Sequence, residues 1–141
     1  MDERILTAID ANINRATEGL RVCEDIFRFI IRDEVSEKFK ELRHRIVALI
    51  KFIPRSDLLH SRDVESDLQK FFDTDSEKNR QNIGDLFSAN IKRAQEALRV
   101  LEEFSKMDFP ELSIKFQQLR FDAYSLEKNS YPLIQASCCK N

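Results

Sequence analysis

ANINRATEGLRV, residues 11–22, returns as ANIKRAQEALRV, residues 89–100. Extended to 11–24 and 89–102, ten of fourteen positions are identical at a constant offset of 78. A second echo, KFKELR (38–43) against KFQQLR (115–120), follows at an offset of 77. In both copies the apolar residues recur every three or four positions, the spacing of one helix face. Repetition at helical period predicts an all-α fold built from a duplicated helical hairpin. Its four long helices would form an antiparallel, up-down-up-down bundle with pseudo-twofold symmetry.

Working outward, helix one spans about Ile5 to Ile31, carried by Ile5, Ile9, Ile13, Ala16, Leu20, Cys23, Phe27 and Ile30. Helix two takes Val35, Phe39, Leu42, Ile46, Leu49, Ile50 and Ile53, and ends at Pro54, whose ring cannot continue a helix interior. PRSDLLHSRDVESDLQKFFDTDS (54–76) has no sustained periodicity, and a connection this long is usually functional or disordered. Thr74, Asp75, Ser76 and Glu77 match a capping box, so helix three begins there and runs to about Met107. Pro110 suits the first turn of helix four, which NSYP (129–132) stops. The expected organisation is one domain, 1–130, with repeat halves at about 5–53 and 77–129, the connection 54–76, and a tail, 131–141, read as ragged.

Composition agrees with helices: 141 residues contain two glycines, three prolines and no tryptophan. Charged residues make up 34% yet balance to a net of −2, so no basic field calls for nucleic acid. The longest apolar run, Ile46 to Ile50, is far shorter than the ~20 residues of a membrane span. The amphipathic, charged start is not a secretory signal. These features read as a soluble cytoplasmic protein without a membrane partner. Cys23, Cys138 and Cys139 form neither a disulfide framework nor a metal-ligand spacing.

On a helical wheel at about 100° per residue, Asn12 has Ala16, Gly19 and Cys23 beside it, and Arg15 falls between Val22 and Ile26. Asn90 and Arg93 take the same places in the second copy. A buried amide or guanidinium without partners costs several kcal/mol or more, about 2–7 for the neutral group alone. Matching Asn and Arg in both copies therefore predict a central polar pocket, with Glu18 and Glu96 one turn beyond the arginines. The competing expectation is border ion pairs, Arg15 with Glu18 and Arg93 with Glu96, and asparagines bonded to each other. Arg21 with Glu24, and Arg99 with Glu102, point away, as solvated pairs or as contacts to another helix.

The connection adds Arg62, Asp63, Glu65 and Asp67; carboxylates at this spacing could serve Mg²⁺ together with substrate phosphates, although a charge cluster in a loop is more often merely solvated. His44 follows Leu42 and Arg43 beside an apolar face, where a histidine is more often a satisfied neighbour than a catalyst. Signatures of P-loop, dinucleotide, serine-hydrolase and zinc-protease sites are absent.

The doubled ANxxRAxExLRVxE, LRH at 42–44, and SRD at 61–63 followed by Asp67 together resemble the small all-helical hydroxymethylpyrimidine phosphate kinases of thiamine biosynthesis. That family occurs alone or fused ahead of a thiamine phosphate synthase domain, and the resemblance covers about Ile5 to Phe121. Where the family pattern has Asp-Val-Gly, this chain has Asp67-Leu68-Gln69. The resemblance implies ATP- and Mg²⁺-dependent phosphorylation of 4-amino-5-hydroxymethyl-2-methylpyrimidine phosphate to its diphosphate. It implies no synthase barrel, which needs ~200 residues or more. Under it, Arg15, Arg93, Glu18 and Glu96 are the catalytic candidates. Asn12, Asn90, Arg43, His44 and Arg62 would hold the phosphorylated pyrimidine and ATP, and Asp63 and Asp67 would hold Mg²⁺. Homodimerisation is left open. The rival readings are an all-helical isomerase of the chorismate mutase kind and a non-catalytic helical interaction module.

Overall fold

The computed structural model describes residues 2–138, apart from the side chain of Ser76. All regular structure among them is helical: α1 (Glu3–Asp25), α2 (Ser36–Ile50), α3 (Arg55–Ser61), α4 (Asp75–Lys78), α5 (Ile83–Asp108) and α6 (Pro110–Cys138). α1 packs against α5, α2 and α3, while α6 packs against α5 and α2. The all-α class expected from the repeat is what the chain adopts.

Most of the apolar positions that carried the periodicity form the core, whereas Ile30, read with them, is 54% exposed. Ala16, Leu20, Phe27, Phe39, Ile46, Phe87, Ile91, Ala94, Leu98 and Leu101 are wholly buried. Phe27 stacks on Phe39 with ring centroids 5.1 Å apart, and Phe87 meets both edge-on at 5.5 and 6.1 Å. These arrangements suit the ring quadrupole and join the ends of α1, α2 and α5 at one point. The α1–α5 crossing is closer still. A Cβ on Gly19 would lie 2.7 Å from the backbone oxygen of Asn90, so glycine is there for space, with no need of a left-handed φ.

Three boundaries differ from the sequence expectation. Helix one leaves α geometry at Ile26, continues as a π-turn through Ile31, and is closed by Arg32 in the left-handed region at φ 61°, its N–H bonding Phe27 O. The Thr74–Glu77 capping box is present but opens only the one-turn α4, because Asn79 is extended and Asn82 supplies a fresh N-cap, accepting from Asp85 N at 2.8 Å.

NSYP does not stop the last helix, which runs through Pro132 to Cys138. Proline in a helix interior costs about 3 kcal/mol. Buried Ile134 contributes about 1.5–3 kcal/mol, and the fully buried Ser130 ties its hydroxyl to Leu126 O at 2.6 Å. Tertiary burial on both sides of the ring thus offsets its local cost. Residues 139–141 of the expected tail lie outside the described residues.

Cys23 is buried, and burial first, with the nearby Glu127 charge second, pushes its thiol far above the ordinary range. Iodoacetamide at neutral pH is therefore expected to label exposed Cys138 and spare Cys23 until denaturant is added. Peptide mapping checks this, and native labelling of Cys23 would show that α1 opens in solution.

Candidate functional site

Asp10 is 6% exposed in the third turn of α1. Buried carboxylates need partners, and Asp10 has a two-pronged one. Arg62 Nε–H donates to its Oδ2 at 2.7 Å, and Nη2–H to its Oδ1 at 2.8 Å. Asp10 in turn raises the pKa of that guanidinium, through the hydrogen bond first and its charge second. One turn earlier, the Thr7 hydroxyl donates to Ser61 O at 2.7 Å. The end of α3 is so fastened to α1, and the residues after it are carried across the helix face.

Those residues complete an open depression of about 710 Å³, whose lining includes Asn12, Arg15, Arg62, Asp63 and Asp67. Asn12 donates to Ala8 O at 2.8 Å, and its Oδ1 accepts from Arg15 Nη1 at 3.4 Å. Asp63 Oδ1 accepts from Ser66 N at 3.0 Å, and Asp67 Oδ1 from Gln69 N at 3.0 Å. Bonds from Ser66, side chain first and backbone second, hold the Asp63 carboxyl below its usual range, so it is charged at neutral pH. The lining holds the carboxylates Glu3, Asp10, Asp63 and Asp67 against the guanidiniums Arg4, Arg15 and Arg62. A bare polyanion gains little from such a balance. One that brings a divalent cation finds carboxylates for the metal and arginine for the phosphates.

Five of the sequence candidates thus meet in one place, and six do not. Arg15, Glu18, Arg93 and Glu96 are exposed, so these four do not meet in a buried pocket between the two copies. The buried lines are Asn12, Ala16, Gly19, Cys23 on α1 and Ala94, Ala97, Leu98, Leu101 on α5. The arginines fall outside the covered arc, and their long stems carry the charge to water. Asn90 repeats the local bond of Asn12, donating to Leu86 O at 2.8 Å, so neither amide reaches across the axis. Glu96 lines a separate depression with Lys92, Arg99 and Glu127, and His44 another on the outer face of α2. Arg43 gives both Nε–H and Nη2–H to Glu24 Oε1, at 3.1 and 3.0 Å, as an interhelical clamp.

Sequence reasoning missed Asp10 and Thr7. The available signal was a difference between copies: IDAN in the first is FSAN in the second, so Asp10 is matched by Ser88. It also left Glu24 and Glu102 undecided. They are 2% and 1% exposed, and Arg43 and Arg120 from the neighbouring helices meet them.

A family profile described as ThiD2 matches residues 7–129. The chain belongs to the ThiD2 family. Among its relatives are a protein of Rhodopirellula baltica named thiamine-phosphate synthase, 35% identical over 122 residues, and one of Synechocystis sp. with the same name, 37% identical over 124. These alignments take in 86% and 87% of this chain but 32% and 35% of the relatives, so the chain spans about a third of their length. No solved structure matches it significantly. The matched segment of this ThiD2 chain contains every residue of the Asp10–Asp67 pocket beyond Glu3 and Arg4. No helix among the described residues is long and apolar enough to cross a membrane.

Proposed function

We propose that this ThiD2 chain acts in thiamine biosynthesis as an ATP- and Mg²⁺-dependent kinase that converts 4-amino-5-hydroxymethyl-2-methylpyrimidine phosphate to its diphosphate. The observation that carries the reading is the convergence of Asn12, Arg15, Arg62, Asp63 and Asp67 on one open pocket. The family match and the names of the relatives support the pathway.

The acceptor in this reaction is a phosphate oxygen already ionised at neutral pH, so no strong general base is required. Its oxygen forms the new bond to the γ-phosphorus of ATP. The bond from that phosphorus to the β,γ-bridging oxygen breaks, and ADP leaves with the electron pair. The difficulty is bringing two polyanions together, which calls for positioning and charge neutralisation. Arg15 and Arg62 present guanidinium donors to phosphate oxygens, and Asn12 Oδ1 accepts a long bond from Arg15 at 3.4 Å.

The donor set fits Mg²⁺. Among the described residues no three His, Cys, Asp or Glu side chains group as a metal site by themselves. Mg²⁺ bound with phosphates takes only one or two carboxylates, and Asp63 and Asp67 each keep an oxygen unused by the turns they cap. The ion supplies charge neutralisation to the phosphate chain when bound.

The deciding measurement is ADP release with the pyrimidine phosphate, ATP and Mg²⁺. Wild type should turn over, and Arg15→Ala should lose about tenfold in kcat/KM, the lower end for a charge-assisted hydrogen bond. Absence of turnover by wild type over broad ranges of Mg²⁺ and pH sinks the kinase reading. A thermal-shift scan adds a cheaper check, since both the isomerase and the interaction module predict no Mg²⁺-dependent stabilisation by ATP.

A further inference from the structure

The two repeats are alike through the phrase that follows position 10 and unlike at position 10 itself. Asp10 is buried, and its two oxygens are both engaged by the fork of Arg62. Its counterpart Ser88 is exposed and has neither charge nor reach to hold such a fork. Thr7, which binds Ser61 O, is matched by Asp85, whose backbone N–H serves the Asn82 cap at the start of α5. The first repeat has therefore spent these positions on catching an outside segment, and the second on starting its own helix.

We infer that Asp10 is a positioning residue that, through Arg62, confines binding of a divalent-metal polyphosphate to the first repeat alone. The inference rests on reading the pocket as a polyphosphate site, and it goes beyond that reading by fixing the number of sites and the residue that creates the asymmetry. With Asp10 in place, Arg62 is held against α1, and the chain immediately after it brings Asp63 and Asp67 into the pocket that Arg15 also lines. A bidentate Arg–carboxylate pair fixes direction as well as distance, which a single hydroxyl does not. Arg62 keeps much of its guanidinium accessible, its side chain being 41% exposed, so it can be held by Asp10 and still face a ligand. In the second repeat, Arg93 and Glu96 carry the same letters, but neither lines the pocket; Glu96 lies instead in the depression it shares with Glu127, which accepts from Gln95 Nε2 at 2.8 Å. The repeated polar phrase is necessary to the site and insufficient for it.

The test is isothermal titration with Mg²⁺ and inorganic tripolyphosphate, a probe that contains the phosphate chain and no base. Wild type should bind one equivalent per chain. Asp10→Ser, which writes the second repeat's residue into the first, should weaken binding about tenfold, as should Arg62→Ala, the size of one lost charge-assisted hydrogen bond. Because Asp10 acts through Arg62, the double variant should be no weaker than Arg62→Ala; independent losses would add instead. Arg93→Ala should bind as wild type does. Asp10→Asn, which retains an acceptor oxygen, should recover part of the affinity, and it carries the test should Asp10→Ser not fold by circular dichroism. Two equivalents per chain, additive losses at 10 and 62, equal losses in Arg93→Ala and Arg15→Ala, or no binding by wild type would each overturn the inference. Tripolyphosphate binding without ADP release would instead sink only the kinase reading.

Discussion

Arg43→Met is expected to destabilise the protein by about 3–5 kcal/mol, the cost of leaving one member of a buried ion pair without its partner. Glu24 is 2% exposed on α1, and Arg43 of α2 supplies two hydrogen bonds to one of its oxygens. Methionine replaces most of the arginine stem, so the packing term is small and the orphaned carboxylate dominates. A second cation, Arg21, stands 4.0 Å away with its side chain half in water and offers little screening. The matching pair in the second half makes an internal control. Glu102 is held by Arg120 at 3.1 Å, but it also has Arg99 at 2.7 Å, so Arg120→Met should cost less than Arg43→Met. Adding Glu24→Leu to Arg43→Met should restore most of the loss, because a buried pair replaced by apolar groups is often neutral or better. Urea denaturation reads all four proteins, and a loss below about 1 kcal/mol in Arg43→Met, the size of a surface pair, would show that Glu24 is solvated.

How much of this was legible beforehand depended on distance along the chain. The helices could be read from Ile9, Leu20, Phe39, Leu98 and Leu119, because period and burial coincide at those positions. Pro110 behaved as a first-turn proline, whereas Pro132 did not act as a stop, because what keeps α6 going is the burial of Ser130 and Ile134 against other elements. The acidic stretch around Asp63 and Asp67 stood out by composition, and so did the polar letters Asn12 and Arg15. That these belong to one pocket, without Arg93, depends on the Asp10–Arg62 bond across 52 positions. A helical wheel treats each helix alone, so it put Arg15 and Arg93 in the buried arc and had no means to show which side their neighbours leave open.

Gly19→Val should cost about 3 kcal/mol, the upper end for forcing extra carbons into a packed contact. The obstacle is main chain. The first added carbon would stand 2.7 Å from Asn90 O and 3.4 Å from Ala94 Cβ, and a carbonyl inside a helix cannot swing aside as a side chain can. The whole of α1 must therefore lift from α5. Gly19→Ala meets the same oxygen, yet it gains about 1 kcal/mol of helix propensity, so its net loss should be smaller. The second repeat already carries alanine at the equivalent position, Ala97, which means the crossing is not the same on its two sides. Binding separates the two pictures of the site. If the pocket is built from α1 and the segment fastened by Asp10, lifting α1 from α5 leaves it whole, and folded Gly19→Val should bind Mg²⁺–tripolyphosphate as wild type does. If instead the phosphates lay between the two copies of the repeated phrase, Arg15 and Arg93 would part company with the helices, and binding would fall even in conditions where the variant is fully folded. Denaturation and titration on the same preparation decide between a site on one repeat and a site between two.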